Sequence, residues 1–142
     1  MNEAEITKRV TESFPDVELA EAQGVTFFFL GHERKFPFAT LVTRDNDYDR
    51  FSNLDRPGVF RLNVGVSKQT FQDLFGSDGA DAAGTYDFTA LDKLMPHPVY
   101  GKMYWVSVLN PSPATFEQIQ PLLAEAYDIF AKKRAKEASD QA

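Results

Sequence analysis

Gly58-Val59-Phe60-Arg61-Leu62-Asn63-Val64-Gly65-Val66 is the stretch on which the fold turns. Strict alternation places Phe60, Leu62, Val64 and Val66 on one face of a strand, and Val59, Arg61, Asn63 and Gly65 on the other. An apolar face of period two needs a partner. The strongest helical stripe in the chain lies near the C-terminus: Phe116, Ile119, Leu122, Leu123, Ala126, Tyr127 and Phe130. The strand is therefore expected to pack on that helix through Ile119, Leu123, Tyr127 and Phe130, which turns Arg61 and Asn63 the opposite way, toward the surface.

Upstream, Asn2 and Glu5 have capping-box spacing before a helix whose stripe is Ile6, Val10 and Phe14, ended by Pro15. Residues 17–22 and 25–30 read as a hairpin about the Gln23-Gly24 turn, and residues 38–43 as a third strand. Residues 44–57 form a long polar connection. Downstream, Ser67 caps a short helix bearing Phe71, Leu74 and Phe75, which Gly76 stops. The small residues of 77–85 predict a mobile surface loop. Residues 87–95 predict a short helix with Phe88, Leu91 and Leu94 inward, closed by Pro96-His97-Pro98, and 103–109 a last strand. The final helix opens at Ser112 or Thr115, and Pro121 either kinks it or marks its start. Strands grouped ahead of the final helices predict an α+β fold, an antiparallel sheet of about five strands with helices packed on one face. A length of 142 residues predicts one domain, with 135–142 as a disordered tail.

The hydrophobic share of 43% and charged share of 25% are ordinary for a globular chain, so neither disorder nor a membrane protein is favoured. Without cysteine there are no disulfides, thiolate metal sites or thiol nucleophiles, which leaves imidazole, carboxylate and hydroxyl chemistry. Residues 1–10 mix acidic and basic groups and lack the apolar run of a secretory signal, and no stretch is long enough to span a bilayer. The expected location is the cytoplasm. The net charge of −6 opposes nucleic-acid binding, and only two segments are basic: 32–68, with seven basic and five acidic residues, and the tail from residue 132. The tail cations Lys132, Lys133 and Arg134 suit a helix C-terminus.

Asp45, Asp47 and Asp49 open like a calcium loop, but Arg50 stands where that loop needs glycine and Arg56 where it needs a bidentate glutamate. A solvated turn rich in Asx side chains is expected instead. The stretch Leu54-Asp55-Arg56-Pro57-Gly58 leads into the key strand. Arg56, Arg61 and Asn63 together suit a carboxylate or phosphate, because a guanidinium fork matches such oxyanions. The competing reading is an ion pair in which Asp55 or Asp49 meets Arg56 or Arg61 and fastens the long loop to the sheet. His97 is stiffened by flanking prolines and lies near Tyr100 and Trp105, so it is either a polar group of a pocket or a structural histidine. His32 reads as an exposed turn residue. Nucleophile-elbow, phosphate-loop and dinucleotide motifs are absent, and two histidines at unrelated positions speak against a transition metal.

Phe38-Ala39-Thr40, the Leu54 to Asn63 stretch, His97-Pro98-Val99-Tyr100-Gly101 and Trp105 together resemble an uncharacterised family of short bacterial proteins, over nearly the whole chain. More distantly, Trp105 in a strand followed by a final helix bearing Tyr127 is similar to the end of MmcQ/YjbR-like proteins. The first resemblance implies a bacterial source and brings no activity. The second implies a CyaY-like α+β fold that has been compared with a double-wing DNA-binding module. The leading expectation is a non-enzymatic binding or accessory domain without a cofactor. It takes a small anionic molecule through Arg56, Arg61, Asn63, His97, Tyr100 and Trp105. The alternatives are a double-wing DNA-binding module and a small hydrolase or isomerase using His97 as general base.

Overall fold

The computed structural model describes residues 1–31, 36–76 and 86–140. His32, Arg34, Lys35 and the 77–85 loop lie outside the described residues, as does the side chain of Arg134. Helix α1, Glu3–Ser13, begins at a complete capping box: Asn2 Oδ1 accepts the Glu5 N–H at 2.9 Å, and Glu5 Oε1 accepts the Asn2 N–H at 3.2 Å. Strands β1, Val17–Ala22, and β2, Val25–Leu30, follow as a hairpin. Its two turn residues both have positive φ, 52° at Gln23 and 80° at Gly24, as a tight primed turn requires. β3, Pro37–Val42, and β4, Arg61–Gly65, extend the meander.

Helix α2, Lys68–Phe75, is capped by Ser67, whose Oγ accepts the Thr70 N–H, and it ends at Gly76. Its start is tied to the last helix, because the Glu125 carboxylate accepts both the Ser67 N–H at 2.7 Å and the Thr70 hydroxyl at 2.6 Å. β5, Met95–Pro96, pairs with β6, Trp105–Leu109, and helix α3, Pro113–Asp140, closes the described chain. Ser112 Oγ accepts the Thr115 N–H at its N-terminus, and Pro121 lies within it, so that proline does not mark its start. The helix continues past position 135, where a tail is expected from the sequence. Among the described residues, no helix is long and apolar enough to cross a membrane.

The fold is α+β: the described residues form a sheet of six strands in the order β1-β2-β3-β4-β6-β5, with all strand pairs antiparallel. The strand beyond the expected five is β5, which occupies part of the segment predicted to be a helix. That helix does not form. Asp87 instead accepts the Thr89 N–H and hydroxyl in an Asx turn, Asp92 has φ of 58°, and Leu91 makes a parallel bridge to Leu109. Local side-chain bonding and pairing with a sheet edge outweigh a short apolar period. The edge also accommodates Pro96, which has no N–H to give.

The core lies between the sheet and helices α1 and α3. Phe60, Leu62, Val64 and Val66 are buried there with Ile119 and Leu123, while Tyr127 and Phe130 are half-buried at its margin. Each such side chain contributes about 1.5–3 kcal/mol by leaving water. The alternation along β4 is as expected, yet its other face is not open: Arg61 and Asn63 are each only 1% exposed. Residues 43–59 fold back over that face, and Leu54, Val59, Met95, Leu109 and Val42 form a second cluster beneath them. Period-two patterning decides which way a side chain points, but only the path of the long connection decides whether it meets solvent.

Candidate functional site

Directly paired residues in an antiparallel sheet share a face, so the register of β3, β4 and β6 brings Thr40, Asn63 and Ser107 into one row. Arg61 is one pleat further along the same face. Asn63 links the row: its Nδ2 donates to Thr40 Oγ1 at 3.0 Å, and its Oδ1 accepts from Ser107 Oγ at 2.7 Å and from Arg61 Nε at 2.9 Å. Arg61 then reaches the folded-back loop. Nη1 donates to Asp49 Oδ1 at 3.1 Å and to Ser52 Oγ at 2.9 Å, and Nη2 closes the fork on Asp49 Oδ2. This two-toothed, buried pair is the fastening expected in the competing reading, and it makes Arg61 an internal ion-pair partner instead of a surface anion ligand.

The aspartates around it diverge. Asp45 accepts the Leu54 N–H, Asp47 pairs with Arg50 at 3.0 Å, and Asp49 holds Arg61. Asn46 Oδ1 accepts the N–H groups of Tyr48 and Asp49, as in an Asx turn. Burial pushes the Asp49 carboxyl upward in pKa, but the hydrogen bonds and charge of Arg61 outweigh it, and the net shift is downward.

His97 arrives from the turn between β5 and β6. That turn is closed by backbone bonds from His97 N to Trp105 O, Gly101 N to His97 O and Trp105 N to Tyr100 O. It includes Tyr104 in the left-handed region, φ 67°, a conformation that a bulky residue adopts only when its surroundings impose it. His97 Nδ1 accepts the N–H groups of Val99 and Tyr100, both at 3.0 Å, so the proton of the neutral ring sits on Nε2. Nε2 lies 3.4 Å from Arg61 Nη2, and the ring is only 6% exposed beneath Tyr100, with centroids 5.0 Å apart. Burial first, and then the positive charge of Arg61, lower the imidazole pKa to about 3, against a weaker opposing pull from Asp49. At neutral pH His97 is therefore an uncharged hydrogen-bond donor, with its one basic lone pair already used.

These residues line a groove of about 640 Å³. Arg61, Asn63, Thr40 and His97 form its polar floor, Phe27, Val25, Val42 and Trp105 its walls, and Tyr48, Tyr100 and Met103 an exposed rim. Of the residues singled out in the sequence, Arg61, Asn63, His97, Tyr100 and Trp105 meet here. Arg56 does not line the groove: its guanidinium donates to the carbonyls of Asn53, Ser52 and Thr89 and braces the loop from behind. Asp49, Thr40, Tyr48 and Phe27 also line the groove, and Ser52 and Ser107, outside its lining, bond to Arg61 and Asn63; the sequence pattern gives none of the six a ligand role. Ser107 was detectable as the one polar residue of an apolar strand, in phase opposite to Val106 and Val108. Ser52 and Tyr48 carry no comparable signal, because a loop has no periodicity.

No curated protein and no solved structure matches this chain. Residues 1–140 match a family of unknown function (DUF6194), and the chain belongs to that family.

Proposed function

We propose that this protein is a non-enzymatic binding domain that holds a small molecule in the groove between the sheet and the folded-back loop. The observation that carries the reading is a concave, largely apolar site with a few converging polar groups on rigid elements, the usual make-up of a ligand site. The charge of Arg61 is matched by Asp49, and Asp47 lines the same groove. Recognition there runs through hydrogen bonds and aromatic contact, and a strongly anionic ligand loses the electrostatic reason that the sequence suggested. A cytoplasmic location fits such a role.

The other readings have less support. His97 and Arg61 do converge, as a hydrolase or isomerase would need, but an imidazole with pKa near 3 and its lone pair occupied accepts no proton at neutral pH. For double-wing DNA binding, as in MmcQ/YjbR-like proteins, the middle-segment cations would have to face phosphate. Arg61 is buried, Arg56 is bound to three carbonyls, Arg50 pairs with Asp47, and Arg44 Nε donates to the Gln23 carbonyl.

Thermal-shift screening followed by amide chemical-shift mapping tests the proposal. A true ligand at 100 times its Kd adds about 2.7 kcal/mol of stability and moves resonances of Phe27, Thr40, Tyr100 and Trp105. Stabilising compounds that all map elsewhere would overturn it.

A further inference from the structure

The hydrogen bonds of Arg61 can be counted donor by donor. Of its five N–H groups, Nε–H goes to Asn63, two on Nη1 go to Asp49 and Ser52, and one on Nη2 goes to Asp49. The fifth, on Nη2, is directed at His97 Nε2. That nitrogen cannot accept it, because the two backbone N–H groups on Nδ1 place the ring proton on Nε2. Two N–H donors on nearly fully buried side chains thus stand 3.4 Å apart at the groove floor, each without an acceptor in the other. An oxygen seated beside the line joining the two nitrogens, about 3 Å from each, would accept from both through bent hydrogen bonds.

We infer that the Arg61 Nη2–H and His97 Nε2–H pair is the recognition element for a carbonyl oxygen on a flat, uncharged ligand, such as an aromatic or ring amide. This inference rests on the groove being a binding site and names the class of molecule it takes. The uncharged class follows from the electrostatics. Asp49 neutralises Arg61, Arg50 neutralises Asp47 and His97 is neutral, so the groove offers a carboxylate or phosphate no net positive charge to offset its loss of water, which a carbonyl does not need. The flat shape follows from the lining, where Phe27, Tyr100 and Trp105 supply aromatic surface and the Tyr100 ring lies 5.0 Å, centroid to centroid, from that of His97.

Three probes separate the possibilities in amide chemical-shift titrations of the full chain: benzamide, benzoate and toluene. Two variants divide the functions of the imidazole. In His97→Asn the side-chain oxygen replaces Nδ1 and still receives the Val99 and Tyr100 N–H groups, but the groove donor is lost. In His97→Gln the amide nitrogen replaces Nε2, so the donor is kept and the turn acceptor is lost. Benzamide is expected to bind in the groove more tightly than benzoate or toluene. His97→Asn should weaken it about tenfold, and His97→Gln should retain most of the affinity. Long-range proton–nitrogen spectra should show the Nε2–H tautomer throughout pH 5–8.

Toluene binding as well as benzamide, or benzoate binding better, with shifts confined to the groove, overturns the carbonyl assignment while leaving a ligand site in place. An Nδ1–H tautomer in the folded protein also overturns it. If benzamide and benzoate at tens of millimolar and toluene near saturation all leave the groove resonances unmoved, the donor pair serves only water and the carbonyl assignment falls, while the ligand screen above decides whether the groove binds at all.

Discussion

Replacing Arg61 by Met tests how the folded-back loop is held to the sheet. The guanidinium is 1% exposed, its Asp49 partner 13%, and it also serves Asn63 and Ser52. Arg61→Met fills much of the volume but leaves the Asp49 carboxylate without its counter-charge and two further polar groups short of a donor. Removing one member of a buried pair costs about 3–5 kcal/mol, a large part of the 5–15 kcal/mol typical of a domain. An unfolding entropy of about 2.1 cal/mol/K per residue amounts, for this length, to about 0.3 kcal/mol/K, so the melting temperature should fall by about 10–17 °C. Calorimetry gives the Tm, and urea unfolding followed through the single tryptophan, Trp105, gives the free energy. The companion Arg61→Met/Asp49→Leu removes both charges and should recover at least about 1 kcal/mol relative to the sum of the single losses. A single-variant loss below about 1 kcal/mol, the range of exposed pairs, would show that the pair is solvated and that the loop does not depend on it.

Stability should also depend on pH through His97. Its folded pKa, about 3, lies below the ordinary 6.5, so between these values the unfolded chain binds a proton that the folded chain does not. Stability is then full above pH 6.5 and falls by about 1.4 kcal/mol per unit on acidification toward pH 4. His97→Asn should lack this component in urea titrations at stepped pH, and an identical slope in wild type and variant contradicts the assignment. Gly65→Ala is expected to destabilise by about 1–3 kcal/mol and to change Trp105 emission, because overpacking forces rigid rings to move. Its Cβ would stand 3.0 Å from the Trp105 ring and 3.3 Å from Phe130, and an unchanged Tm would show that the contact yields freely. Glu125→Ala should cost about 1–2 kcal/mol by untying the start of α2 from α3, with faster exchange of the Ser67 amide, which loses its acceptor, as the local sign.

The sequence alone determined the parts of this protein that depend on local pattern. The capping box at Asn2, the hairpin about Gln23-Gly24, the cap at Ser67 and the stripe from Phe116 to Phe130 are decided by residues within a few positions of one another, and each lies where its pattern places it. Period-two alternation likewise settled that Phe60 and Arg61 point to opposite faces. Only the tertiary structure decided that both faces are covered, because burial of Arg61 depends on where residues 43–59 travel, and a polar connection has no period to reveal its path. The choice of Asp49 over Asp55 as the partner of Arg61 is of the same kind: both are carboxylates in one loop, and Asp55 Oδ1 instead accepts the Asp45 N–H. The predicted helix over 87–95 failed for a related reason. Its three apolar residues suited a helix, but an Asx turn and an available sheet edge offered its backbone better partners. The protonation state of His97 was beyond the sequence altogether. It follows from two backbone N–H groups and one guanidinium that only the folded chain brings to the same ring.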